Sequence, residues 1–225
     1  MISIAIDGPA GAGKSTVAKA ISKKLGIIYL DTGAMYRTVA LKAIKENVDS
    51  LDREKLSNIV KNINMEIRFI DNQQHMFLDN EDVTEKIRTP EVSIGASNVG
   101  TIPEVRLKMA ELQRKFAEKH NVVMEGRDIG SFVLPNATLK IFLTATLEKR
   151  AERRYKELIE KGTTGISMED VKRDIEYRDK NDSSRSLAPL IKAPDAIEIE
   201  TTNLTVEEVV DKIIYNMSQR IASFK

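Results

Sequence analysis

Short apolar runs alternate with stretches of helical periodicity along most of this chain. Residues 2–6 are apolar and stop at Asp7-Gly8-Pro9, which reads as a buried strand. From Ser15, apolar residues recur at Val17, Ala18, Ile21 and Leu25, a helical spacing that Gly26 closes. Residues 27–30 predict a second strand and 34–46 a second helix. Residues 65–70 and 75–78 predict a hairpin around Asn72-Gln73. Val105, Met109, Leu112 and Phe116 mark an amphipathic helix after Pro103, and 122–124 and 139–143 predict two more buried strands. Residues 147–159 and 168–178 read as charged helices joined by a loop with Gly162 and Gly165. Residues 196–199 predict a last strand. Thr205 and Glu208 have the spacing of a capping box for a final helix through Val209, Val210, Ile213, Ile214 and Met217.

Strands that alternate with helices imply an α/β fold, a mostly parallel sheet covered on both faces. Residues 62–100 break the alternation and read as an insertion. The chain's 225 residues, 41% of them hydrophobic, suffice for one sizeable core with small additions. Lys and Arg number 35 against 34 Asp and Glu, a net charge of +1, so no general attraction to nucleic acid or anionic membrane is expected. Absence of cysteine excludes disulfides and thiolate chemistry. The first residues lack the basic stretch of a signal peptide, and no apolar run approaches the ~20 residues of a membrane span. A cytoplasmic monomer is the expectation.

Gly8-Pro9-Ala10-Gly11-Ala12-Gly13-Lys14-Ser15 matches G-x-x-x-x-G-K-[ST], and Thr16 follows it. Glycines let the backbone curl so that amide N–H groups converge on phosphate oxygens, and the next helix turns its positive end to the same anion. Lys14 would reach the transferring phosphate and the Ser15 hydroxyl would complete a Mg²⁺ shell. A Gly-rich turn with a surface lysine would carry the same letters, but its place between a buried strand and a helix argues for phosphate binding. A GTPase would need Asn-Lys-x-Asp after a strand. The nearest string, Asp179-Lys180-Asn181-Asp182, has another order and falls on a charged helix. The short chain favours a small-molecule kinase.

Two further motifs fall just beyond strand carboxyl ends, where ligands collect in such sheets. Asp31-Thr32-Gly33-Ala34-Met35-Tyr36-Arg37 offers a hydroxyl, an aromatic ring and a guanidinium at a helix start. Glu125-Gly126-Arg127-Asp128 follows the third strand. Arg127, Arg150, Arg153, Arg154, Arg173, Arg178 and Arg185 crowd into about a quarter of the chain. They read either as solvated helices paired with Glu148, Glu152 and Glu157, or as a lid that closes arginines over ATP. His75 and His120 read as surface residues. An acceptor phosphate is already an anionic nucleophile, so lack of an obvious base favours a monophosphate acceptor, with Asp31 or Asp128 as the alternative bases for a hydroxyl.

On these motifs, together with Arg178-Asp179-x-x-Asp182-x-x-Arg185 before Ala188-Pro189-Leu190, the chain resembles the bacterial cytidylate kinases of the nucleoside monophosphate kinase group. The resemblance runs from the first strand to the final helix. It implies a P-loop kinase fold with a five-stranded parallel sheet, a core of residues 1–61, 101–149 and 189–225, an acceptor-binding insertion over 62–100, and a helical lid over 150–188. It implies ATP as donor, bound by residues 8–16, with Mg²⁺ at Ser15, and CMP with dCMP as acceptors. Thr32, Arg37 and Arg127 would hold the acceptor phosphate, and Tyr36, Arg178 and Asp182 the ribose. Ser97, Arg106 and Asp128 would read cytosine, while Arg185 would reach the phosphates from the lid. Lys14, Arg127, Arg178 and Arg185 would serve catalysis. Asp128 would accept from cytosine N4 and Arg106 donate to the ring acceptors. The competing readings are a kinase acting on a hydroxyl and a regulatory protein that binds ATP without transferring it.

Overall fold

The computed structural model describes residues 1–223. Strands β1 (Ser3–Asp7), β2 (Ile28–Asp31), β6 (Val122–Glu125), β7 (Leu139–Thr144) and β8 (Ile197–Glu200) form a parallel sheet in the order β2-β6-β1-β7-β8. In register, Ile6 lies beside Glu125 and Ile141, and Asp31 beside Glu125, so the carboxyl ends of the central strands share one edge. Both faces of β1, β6 and β7 are buried, which is why these central strands read as apolar runs, whereas the edge strand β8 alternates Ile with exposed Glu. Helices α1 (Lys14–Leu25) and α8 (Val206–Ser223) cover one face through Val17, Ile21, Val210 and Ile213. Helix α5 (Pro103–Ala117) and a wide helical turn at Ile129–Val133 cover the other.

Between β2 and α5 lie α2 (Thr32–Lys45), α3 (Arg53–Asn62), the hairpin β3 (Met65–Ile70) and β4 (Gln73–Leu78), the short β5 (Glu81–Asp82), and α4 (Pro90–Val99). Met35, Val39, Leu56, Met76, Leu78, Val92 and Met109 join α2, α3, β4, α4 and α5 in one apolar cluster. The hairpin turn is Asp71-Asn72, one residue earlier than expected. Both residues have positive φ (50° and 60°), as the tight two-residue loop of a right-twisted hairpin requires. Helices α3 and α4 escaped the periodicity reading. Helix α3 has only Leu56, Ile59 and Val60 buried, and α4 buries the small or polar Gly95, Ser97 and Asn98 alongside Val92 and Val99, which blurs its apolar period.

Helices α6 (Leu147–Glu160) and α7 (Met168–Ser183) form an antechamber to the sheet edge. A capping box between Ser167 and Asp170 starts α7, and the helix runs five residues beyond Arg178, so that Asp182 is helical. The expected capping box of α8 is present, with Thr205 N–H on Glu208 Oε2 at 2.8 Å and Glu208 N–H on Thr205 Oγ1 at 3.2 Å. No helix among the described residues is long and apolar enough to cross a membrane.

Candidate active site

Beyond β1, Gly8, Gly11 and Gly13 have φ of 146°, 76° and 90°. At Gly8 a Cβ would lie 2.0 Å from the Leu143 carbonyl oxygen, so only glycine fits. Gly13 starts α1 without a side-chain cap, which leaves the first-turn amides for an anion. Lys14 curls back to donate to the Pro9 carbonyl at 2.7 Å. Loss of hydration, with Arg127 nearby, lowers its pKa to about 7 despite Glu125 and Asp182. Ser15 Oγ donates to Glu125 Oε1, and the Tyr29 hydroxyl donates to the same oxygen at 2.8 Å.

The acceptor side is assembled from five elements. Asp31 caps α2 by accepting from Ala34 N–H at 2.9 Å and pairs with Arg37 at 2.7 Å. Burial opposes its ionisation, but Arg37 and the amide outweigh it and hold the carboxyl below its usual range. Thr32 Oγ1 donates to the Glu125 carbonyl at 2.6 Å. Arg106 and Asp128, 1% and 4% exposed, form a buried ion pair, and Arg106 NH1 also donates to the Gly100 carbonyl at 3.2 Å. The Arg106 guanidinium stands 5.7 Å from the Tyr36 ring centroid. Asp182 accepts from Arg127 Nε at 2.6 Å and from Arg185, and these arginines hold it ionised against the cost of burial. Ser97 joins through Asn181, whose Nδ2 donates to Ser97 Oγ at 3.2 Å.

The cluster carries more positive charge than its partners absorb. Arg178 has no hydrogen bond or ion pair among the described residues, and burial beside Arg127 lowers its pKa to about 10. The buried Nε atoms of Arg37, Arg106 and Arg185 are also unpartnered. A buried donor without an acceptor is costly, so this arrangement is suited to an anionic, hydrogen-bonding ligand.

The seven arginines divide. Arg154 pairs with Glu157 along α6 and Arg173 with Asp170 along α7, as solvated helices would. Arg153 donates to Thr201 Oγ1 and O at 3.0 and 2.6 Å. Arg127, Arg150, Arg178 and Arg185 face inward. His75 pairs with Asp82 at 2.8 Å and His120 stacks on Phe116 at 4.5 Å, both half-buried and outside this network. Sequence reasoning gave no role of their own to Glu125, Asp7, Gln74, Asn181 and Asp179, although Glu125 and Asp179 stand within its motifs. Glu125 and Asp7 each end a strand beside the phosphate loop, and that position was the available signal. Asp7 accepts from Ile129 and Gly130 N–H at 2.8 and 2.7 Å, and burial raises it to about 7 against those two amides.

The family model described as cytidylate kinase matches residues 4–219. The cytidylate kinase of Caldicellulosiruptor bescii is 52% identical over 95% of this chain and 94% of its own length. That of Bacillus thuringiensis shows the same identity and coverage. Among solved structures, an uncharacterized protein from Eubacterium ventriosum aligns with a TM-score of 0.53 at 15% identity, over 97% of this chain and 99% of that one, a likeness of fold. Phosphate loop, arginine cluster and family match agree: the chain belongs to the cytidylate kinase family.

Proposed function

We propose that this protein transfers the terminal phosphate of ATP directly to CMP, with dCMP as a second acceptor. The carrying observation is the convergence, in one cleft, of the glycine-rich loop with Lys14 and the surplus of arginine donors beside the Arg106–Asp128 pair. The loop amides of residues 8–16 and Lys14 bind the donor phosphates. Thr32, Arg37 and Arg127 orient the acceptor phosphate in line with them, and Arg178 and Arg185 offset charge that spreads over the transferring oxygens. Tyr36, Arg178 and Asp182 contact the ribose. Asp128 and Arg106, already side by side, offer an acceptor next to donors, the complement of cytosine's amino group and ring acceptors, with Ser97 at their margin. Uracil would set a carbonyl against the carboxylate.

Mg²⁺ seeks oxygen ligands and keeps several waters, and the Ser15 hydroxyl against the Glu125 carboxylate fits that preference. Bound there with the nucleotide, it would neutralise phosphate charge. Residues 62–100 serve as the acceptor-binding insertion and 150–188 as the lid. We infer a cytoplasmic monomer that does not engage nucleic acid, in keeping with the balanced net charge of +1.

A hydroxyl acceptor is disfavoured because Asp31, Asp128 and Asp182 are each engaged by arginine, which leaves none of the three free to take a proton. The test is ADP release from ATP and Mg²⁺ with CMP, dCMP, UMP, AMP or no acceptor. Fast turnover with CMP and dCMP and little with AMP is expected. Silence with all four would overturn the assignment.

A further inference from the structure

Helix α7 also grips the phosphate loop, through a residue that the transfer itself does not employ. Asp179 Oδ1 accepts from the Ala10 N–H at 3.2 Å, and its Oδ2 accepts from Arg150 NH1 at 2.5 Å. The same guanidinium nitrogen donates to the Ala10 carbonyl at 3.0 Å, and Arg150 Nε donates to the Ala145 carbonyl at 3.1 Å. Both backbone polar groups of Ala10 are thus held by one carboxylate–guanidinium pair drawn from two helices. The Ala10 methyl is buried with Ala151, Leu158, Val171 and Ile175 in the α6–α7 core. Gly11 lies directly against Arg150, where a Cβ would come within 2.9 Å of the arginine's own backbone oxygen.

Three glycines at positive φ make this loop expensive to order if nothing restrains it. Ala10 is buried between the loop and the two helices, and pinning it removes much of that freedom before ATP arrives. A carboxylate beside a polyphosphate site is unfavourable in itself, and Arg150 offsets the charge. The placement makes sense if geometry outweighs repulsion. The same helix carries Arg178, Asn181 and Asp182 into the acceptor cleft, so the loop is fixed relative to the acceptor side too.

We propose that Asp179, held by Arg150, is a positioning residue for the donor, fixing the phosphate loop at Ala10 so that the amide cradle exists before ATP binds. The test is steady-state kinetics of the full chain with ATP and CMP varied separately, alongside thermal unfolding. In D179A the KM for ATP is expected to rise about tenfold, the equivalent of about 1.4 kcal/mol, with the KM for CMP changed less than about twofold. D179N, whose amide oxygen still accepts from Ala10, should show a smaller rise. R150K leaves the carboxylate in place, but one ammonium nitrogen cannot stand at the positions of both Nε and NH1, so it should also raise the KM for ATP. If D179A proves insoluble, D179N and R150K carry the same comparison. An unchanged KM for ATP would overturn the proposal, as would a parallel rise of both KM values, which is general loosening. A fall in the KM for ATP in D179N would mean that charge repulsion dominates, and would overturn it equally.

Discussion

The two halves of the cleft bind anions by different means. The donor half is mostly backbone, with three glycines at positive φ and a helix start within eight consecutive residues. The acceptor half is side chains, drawn from α2, α4, α5, the loop after β6, and α7, many of them held in ion pairs with one another. A backbone site tolerates changes in its neighbours but not in its own glycines. A side-chain site built from opposing charges is selective, because a ligand must replace each pair it disturbs, and it is vulnerable to the loss of one partner.

The sharpest way to test the contrast is Lys14→Ala, which removes the ammonium of the phosphate loop. We expect kcat to fall on the order of 10³-fold, with the loss equal for CMP and dCMP. A loss confined to one acceptor would show that Lys14 does not belong to the donor half. Second is Asp128→Ala. It should lower kcat/KM for CMP by on the order of 10²-fold while UMP changes far less, since uracil gains nothing from that carboxylate. Denaturant unfolding should register about 3–5 kcal/mol of lost stability from the stranded Arg106. Equal losses with both acceptors would remove Asp128 from base reading.

This division also explains what could be read from the sequence. Donor chemistry was legible because its letters are contiguous and its context, a strand then a helix, is local. The central parallel strands were legible because burial on both faces makes them apolar runs, and the edge strand β8 by its alternation of Ile197 and Ile199 with exposed Glu198 and Glu200. Helix α4 was not, since its stripe of Val92, Ala96 and Val99 is short and the buried Gly95, Ser97 and Asn98, packed toward α2 and α7, obscure it. Asp179 stood inside the Arg178–Arg185 motif but received no role. Its target, Ala10, is 169 residues away, a pairing that only the fold supplies. The same holds for Arg106 and Asp128, which from residue types alone could not be paired; the resemblance supplied their roles.

A third test uses pH. Burial, with Arg127 nearby, lowers Lys14 from 10.5 to about 7. Between those values the unfolded chain holds more protons than the folded one at this site, so the group makes stability rise with pH across that window and penalises folding most below pH 7. Lys14→Met should therefore gain most stability near pH 6, with the gain fading toward pH 10. In the wild type, ATP restores the ammonium, so donor affinity should fall roughly tenfold per pH unit above 7 with uptake of a proton. Calorimetry in two buffers of different ionisation enthalpy reads that proton directly. A pH-independent binding enthalpy difference of zero would mean that Lys14 is fully charged before ATP binds.

The smallest effect probes where the halves meet. Gln74 on the hairpin accepts from Asp31 N–H at 2.7 Å and donates to the Asp31 carbonyl at 3.1 Å, a two-point tie between β4 and the end of β2. Asp31 in turn orients Arg37. Gln74→Ala removes about 1 kcal/mol per hydrogen bond at most, and the hairpin stays anchored by Met76 and Leu78. We expect the KM for CMP to rise two- to fivefold, roughly the share of one such bond, while the KM for ATP stays constant. A matching rise for ATP would mean that the hairpin steadies the whole sheet edge, and the donor and acceptor halves would then be one mechanical unit rather than two.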